Sequence, residues 1–287
     1  MTEAPASAAR RREVGVVPRP HRPTTLRCGL LVLGLSASAS ALAPLPAQTP
    51  GRPAPPPSRQ PTPEQIAERR RLEDERRRRD DWAYLARYRE DNARLGAPRP
   101  GERRVVFMGN SITEGWARHF DTMFPGKPYV GRGISGQTTP QLLVRFRQDV
   151  IALAPAVVVI LAGTNDVAGN GGPATLAMIE DNLASMVDLA TANGVRVVLS
   201  SVLPAYAYPW RPGLEPAAPT IVALNASLKD YAATRGVVYL DYHSAMADER
   251  QGLRRELSDD GVHPNEAGYR VMAALAERAI AEALRPR

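Results

Sequence analysis

Cysteine is almost missing from this chain: Cys28 is the only one in 287 residues. A disulfide framework and a cysteine-ligated zinc site are therefore excluded. Long apolar runs are missing as well. No stretch reaches the roughly 18 consecutive apolar residues that a membrane span requires, although 44% of the chain is apolar, enough for a substantial core. Histidine is scarce, with four in all, and no two stand at metal-ligand spacing. The phosphate-cradling Walker loop and the G-x-S-x-G elbow of ordinary α/β-hydrolases do not occur. No metal and no cofactor is expected. Lysine is absent from residues 1–104, yet that segment holds 21 arginines against 12 acidic residues, whereas the following 183 residues hold 16 basic against 18 acidic. The net charge of +7 thus belongs to an N-terminal extension, and the near-neutral remainder argues against a nucleic-acid partner.

Residues 1–47 read as a secretory signal peptide: a polar, arginine-containing start (Arg10 to Arg12, Arg19, Arg22, Arg27), a short apolar core after Cys28, then small residues. The apolar core is too short to remain as a comfortable anchor, so the mature protein is expected to be exported, periplasmic or secreted, with no stable membrane span. Residues 48–61 form a proline-rich linker. A charged helical arm is expected over 62–98, with Thr62 as cap, Pro63 in the first turn and Gln65 completing a capping box. Glu73 with Arg77, Asp74 with Arg78 and Glu75 with Arg79 stand at i,i+4 spacing. The stripe Trp82, Leu85, Tyr88 is expected to dock on the domain that follows, residues 99–287.

From Arg103 onward short, nearly unbroken apolar runs recur: VVFM at 105, a weaker YV at 129, VVVIL at 157, VRVVL at 195 and VVYL at 237. Such runs suit parallel strands buried on both faces. Helical stretches separate them, over 140–153, 173–193, 220–235 and 265–284, with Gly194 and Gly236 as C-cap punctuation. The alternation predicts a three-layer α/β/α sandwich on a five-stranded parallel sheet, flavodoxin-like, preceded by the helical arm.

In such a sheet the reactive crevice lies beyond the carboxyl ends of the strands. Four blocks fall there: GNSITEG from Gly109, GRGISGQT from Gly131, GTND from Gly163 and DDGVHP from Asp259. Ser111 ends a strand and opens a helix, which exposes its hydroxyl. A serine hydroxyl needs an adjacent general base to act as a nucleophile, and His263 is the candidate. Asp260, three residues earlier on a turn permitted by Gly261, can reach Nδ1 of the same imidazole and fix its tautomer. Each block alone is an ordinary turn sequence. Their conjunction at one sheet edge is not.

The four blocks, in this order, resemble the SGNH (GDSL-like) hydrolases, among them the bacterial esterases akin to platelet-activating-factor acetylhydrolase. The resemblance covers about Arg103 to Arg287. It implies a carboxylic ester hydrolase with Ser111, Asp260 and His263 as catalytic residues. It also implies an oxyanion hole made by the N–H groups of Ser111 and Gly136 and the amide of Asn165. One departure stands out, Asn110 where the family commonly has an acid.

Two decoys are set aside. Gly131, Gly133 and Gly136 spell the dinucleotide fingerprint, but the helix begins after them and no acidic residue follows at ribose-binding distance. His243 follows a strand beside Asp241, and the two would point to opposite faces. The expected substrates are short acyl or acetyl esters, including acetylated carbohydrate, with Tyr206, Tyr208 and Trp210 of a proline-rich segment as candidate substrate contacts. The alternatives are a lysophospholipase or thioesterase acting on lipid acyl groups, and a noncatalytic envelope carbohydrate-binding protein on the same fold. The sequence leaves the oligomeric state open.

Overall fold

The computed structural model describes residues 62–214 and 216–286. The expected signal peptide and linker lie outside the described residues. Two helices open the described chain, α1 (Pro63–Asp80) and α2 (Arg89–Leu95). The domain then runs β1 (Val105–Gly109), α3 (Ser111–Ala117), α4 (Phe120–Met123), β2 (Tyr129–Gly133), α5 (Thr139–Asp149), β3 (Val157–Leu161), α6 (Thr164–Val167) and α7 (Leu176–Ala192). It continues through β4 (Arg196–Ser200), α8 (Ala218–Arg235), β5 (Val238–Leu240), α9 (His243–Met246) and α10 (Glu266–Ala283).

All five strands are parallel, in the order β2-β1-β3-β4-β5. β1 and β3 are buried at every position, which is why their sequences run apolar without alternation. Their side chains still alternate between two cores. Val106, Met108, Val158 and Ile160 pack with Leu142 and Phe146 of α5, Ile179 and Leu183 of α7, and Ile221 and Leu224 of α8. Val105, Phe107, Val157 and Val159 face Trp116 of α3 and Met272, Ala276 and Ile280 of α10. The second core is aromatic: Phe107 meets Trp116 edge-on at 5.3 Å and Phe120 at 4.9 Å between ring centroids. The three layers expected from the sequence are present. The strand order places a topological switch at β1, where ligands bind in doubly wound sheets.

The N-terminal arm differs from its expected form. α1 carries the Thr62–Gln65 capping box, but the helix stops at Asp80. The carboxylate of Asp81 accepts from the N–H groups of Leu85 (2.7 Å) and Ala86 (2.9 Å) and folds 81–88 into turns before α2. Glu73 and Glu75 pair with Arg69 and Arg71, one turn back, and not with the arginines ahead. On an exposed helix these alternatives are nearly equal in energy, and each contributes little. Of the expected stripe Tyr88 is buried, Leu85 is half-buried and Trp82 is exposed, because the turns hand the buried place to Ala83.

The segment from residue 82 to 92 is tied to the domain by side-chain amides. Gln137, Gln141 and Gln148 donate to the carbonyls of Ala83, Trp82 and Leu85 at 2.8, 2.8 and 2.7 Å. Asn92 donates to the Asp149 carboxylate (2.8 Å) and accepts from Nε of Arg132 (2.8 Å). The Tyr88 hydroxyl donates to the Gly133 carbonyl at the end of β2.

Candidate active site

The crevice is assembled from strand ends. β1 stops at Gly109, Asn110 caps α3, and Ser111 is the first helical residue. Oδ1 of Asn110 accepts from the Ile112 N–H at 3.2 Å, an acceptor role that the family's usual carboxylate could also fill. β2 runs directly beneath this turn. A Cβ at Gly133 would lie 2.2 Å from the Glu114 nitrogen and 2.6 Å from the Asn110 carbonyl oxygen, so only glycine lets strand and helix approach this closely. Gly136, at φ +78°, turns the chain back toward the crevice. These close-approach and turn roles account for the dinucleotide-like spacing of the glycines.

Far along the sequence, the loop before α10 carries the candidate base, His263. An isolated bridge between Ser258 and Pro264 closes this loop, and Gly261 takes φ +79° within it. Oδ1 of Asp260 accepts from the N–H groups of Val262 (2.9 Å) and His263 (2.7 Å). Oδ2 lies 2.6 Å from Nδ1 of His263, and Nε2 lies 2.9 Å from Oγ of Ser111. An ionised carboxylate only accepts, so the neutral imidazole carries its proton on Nδ1 and offers Nε2 to the Ser111 hydroxyl. Partial burial works to raise the Asp260 carboxyl, but the His263 side-chain bond and the two backbone donors outweigh it and hold the group at about 2.

The third block sits across from these groups, just past β3. Nδ2 of Asn165 donates to the Gln137 carbonyl (2.9 Å), and its Oδ1 accepts from Nδ2 of Asn170 (2.8 Å). Oδ1 of Asn170 in turn accepts from Nε1 of Trp210 (3.1 Å). This relay sets which way the Asn165 amide points and leaves one of its two N–H bonds uncommitted. The Ser111 N–H has no helical acceptor because it opens α3.

Asp166 caps a different helix from its own. It is buried and accepts from the Thr139 N–H (2.9 Å) and hydroxyl (2.6 Å), which pins the start of α5 to the end of β3. Burial raises its carboxyl and the Thr139 bonds oppose that rise. Beneath the crevice lies Arg145, fully buried on α5. It donates to the carbonyls of Gly109 and Arg132 at 2.9 Å each, to Oε1 of Gln137 at 2.6 Å and to Asp149 at 3.0 Å. One guanidinium thus fastens the ends of β1 and β2 and the loop after Gly136. Burial pushes it downward, and Asp149 opposes the shift.

The three aromatics expected to face substrate part company. Trp210 is 39% exposed, with its ring 5.9 Å from that of His263. Tyr206 is also half out, beneath the Arg250 guanidinium at 3.7 Å. Tyr208 is only 2% exposed and belongs to the core packed on α7 and α8, so it is corrected from substrate contact to core. The proline-rich segment folds back over the sheet, with Ala217 N–H donating to the Tyr206 carbonyl (2.9 Å), and this turns Tyr208 inward. His243 is buried at the start of α9, where Asp241 caps Ser244 and does not contact the imidazole. Sequence reasoning missed Arg145 and the link from Trp210 through Asn170. Asn170 sits in a glycine-rich stretch, GNGG at 169–172, outside the four site blocks. Among the described residues no cluster of three or more His, Cys, Asp or Glu could hold a metal ion.

Comparison with known proteins agrees with this architecture. The family model of the GDSL-like lipases and acylhydrolases matches residues 107–271. A GDSL-like lipase from Bacteroides thetaiotaomicron superimposes with a TM-score of 0.69 at 47% identity, over 71% of this chain and 100% of that one. An acetylxylan esterase from Geobacillus stearothermophilus gives a TM-score of 0.51 at 24% identity over 64% of this chain and 97% of that one, a likeness of fold. An acetylxylan esterase from Xylanibacter ruminicola is 25% identical over 223 residues, 65% of this chain. The match spans 45% of that relative's length, less than half of it.

Proposed function

Because this chain belongs to the GDSL-like lipase and acylhydrolase family and is an ester hydrolase, we propose that it removes short acyl groups, above all acetyl, from carbohydrate esters through an acyl-serine intermediate. The observation that carries the mechanism is the unbroken path from Ser111 Oγ through His263 to Asp260, at 2.9 and 2.6 Å. Nε2 of His263 takes the Ser111 proton as Oγ attacks the ester carbonyl carbon. Asp260, whose carboxyl is lowered to about 2 and is therefore anionic near neutral pH, stabilises the imidazolium so formed. The Ser111 and Gly136 N–H groups and the uncommitted N–H of Asn165 are the donors assigned to the oxyanion. Collapse of the intermediate expels the alcohol, which leaves with the proton from Nε2. Water then repeats the sequence on the acyl-serine and frees the acid.

Two features support a short acyl group on a polar alcohol: the acetylxylan esterase relative, and the polar rim of Asn170, Trp210 and Arg211 beside Gly136. No membrane-spanning helix occurs among the described residues; the leader read from the sequence favours an exported enzyme, and the near-neutral charge of residues 105–287 argues against a nucleic-acid partner. A panel of p-nitrophenyl esters from two to sixteen carbons, beside acetylated xylan, tests the substrate. Highest kcat/KM on the acetyl ester with acetate release from xylan is expected; preference for the longest chains would replace this reading with lipid acyl hydrolysis.

The oxyanion assignment has its own test. Asn165→Ala is expected to lower kcat on p-nitrophenyl acetate by about 10²- to 10³-fold, the usual cost of losing one such donor. Asn170→Asp keeps an acceptor for Trp210 but cannot donate to Asn165. It is expected to lower kcat about tenfold, one hydrogen bond's worth, with little change in KM. Unchanged turnover in both variants would remove the amide from the mechanism.

A further inference from the structure

Next to the Ser111–His263 pair lies a second concavity of about 450 Å³. Arg77 and Trp82 of the N-terminal arm form one wall, Asn170, Trp210 and Arg211 the other, and Gly136 joins it to the proposed oxyanion hole. The arm wall falls outside residues 107–271, which the family model covers. Two large indoles are left in contact with water across this cleft, Trp82 at 47% and Trp210 at 39% exposure. Asn170 accepts from the Trp210 indole N–H at 3.1 Å and fixes that ring, while Gln141 donates to the Trp82 backbone carbonyl at 2.8 Å and fixes the chain that carries the other indole. Two exposed indoles lining one cleft beside a reacting centre suit the flat, C–H-rich faces of sugar rings.

Charge narrows the choice of sugar. The lining holds two guanidinium groups and no carboxylate. Arg77 is offset by Asp74 at 3.0 Å. Arg211 has no acidic partner among the described residues; Nε donates to the Ala168 carbonyl (2.7 Å) and one Nη to that of Gly169 (2.5 Å). Those bonds fix the plane of the guanidinium without neutralising it, which leaves one positive charge facing the cleft.

Resting on the carbohydrate-ester reading above, we infer that this cleft binds the alcohol half of the substrate, an acetylated oligosaccharide carrying a uronate, with a sugar ring between Trp82 and Trp210 and the uronate carboxylate on Arg211. The arm is then a wall of the substrate site and no mere tether.

The test compares acetate release by the full chain from an acetylated glucuronate-bearing xylo-oligosaccharide and from the same oligosaccharide after carboxyl reduction. The charged form is expected to have about tenfold higher kcat/KM, one charge-assisted hydrogen bond's worth, and the advantage should shrink as salt rises. Arg211→Gln is expected to abolish that ratio. Trp82→Ala is expected to lower kcat/KM on both oligosaccharides relative to p-nitrophenyl acetate. Equal kcat/KM for charged and reduced forms in the wild-type protein overturns the uronate claim whatever the variants do. A Trp82→Ala effect equal on oligosaccharide and p-nitrophenyl acetate overturns the arm's part. Failure to hydrolyse any acetylated oligosaccharide, with p-nitrophenyl acetate still cleaved, sinks the carbohydrate reading itself.

Discussion

Ser111→Ala is expected to reduce kcat on p-nitrophenyl acetate by about 10⁴- to 10⁶-fold while leaving the thermal midpoint within a few degrees of wild type. The expected effect is large because, on the proposed mechanism, the three groups act as a unit. Without Oγ, the proposed base His263 has nothing to deprotonate, and its hydrogen bond to Asp260 holds the imidazole in place to no purpose. What remains is the polarisation of a bound ester by the oxyanion donors, which is why activity falls to a floor and not to nothing. The stability forecast follows from the site's position. Ser111 is half-buried at the mouth of the crevice, its hydroxyl bonded to His263 alone, and Asn110 still caps the helix. His263→Ala should fall to the same floor, and the double variant should be no worse than either. Additive losses would mean that the two side chains act in separate steps. A serine-directed organophosphonate should label the wild type at Ser111 and neither variant.

Arg145→Met should cost stability rather than chemistry, by about 3–5 kcal/mol. Arg145 and Asp149 are both fully buried, and the guanidinium satisfies two strand-end carbonyls and a glutamine besides the carboxylate. Methionine fills the volume but leaves Asp149 with only the Asn92 amide, and leaves the Gly109 and Arg132 carbonyls short of a donor. Against a total stability of about 5–15 kcal/mol, such a loss is visible as a drop of about 6–20 °C in the thermal midpoint. Arg145→Met combined with Asp149→Leu should recover part of it, since removing both charges removes the unpaired one. A single variant that melts within about 2 °C of wild type would show that the network is not needed to hold the strand ends.

Arg145 also shows where sequence reading stops. The strands were legible because β1 and β3 are unbroken β-branched and apolar runs, and the long helices because glycine caps and apolar spacing bound them. The site blocks were legible because each falls at a strand end. A buried arginine reads as an exposed one, since nothing in QLLVRFRQD separates Arg145 from Arg147. The turns at 81–88 were hidden for a related reason. They depend on the Asp81 carboxylate bonding to Leu85 and Ala86, and in sequence that aspartate is one more acid in a charged run. Tyr208 was misplaced because a proline-rich segment has no periodicity from which a face can be read. Asn170 needed the third dimension, for its two partners lie 5 residues behind it and 40 ahead.

The proposed nucleophile Ser111 and its proposed base His263 stand 152 residues apart along the chain. That order has a consequence for biosynthesis. A growing polypeptide that has already emerged past Ser111, Gly136 and Asn165 is still chemically silent, for no imidazole has yet reached the hydroxyl. On the proposed mechanism, the hydroxyl gains its base only after the loop before the last helix has been synthesised and packed beside Ser111.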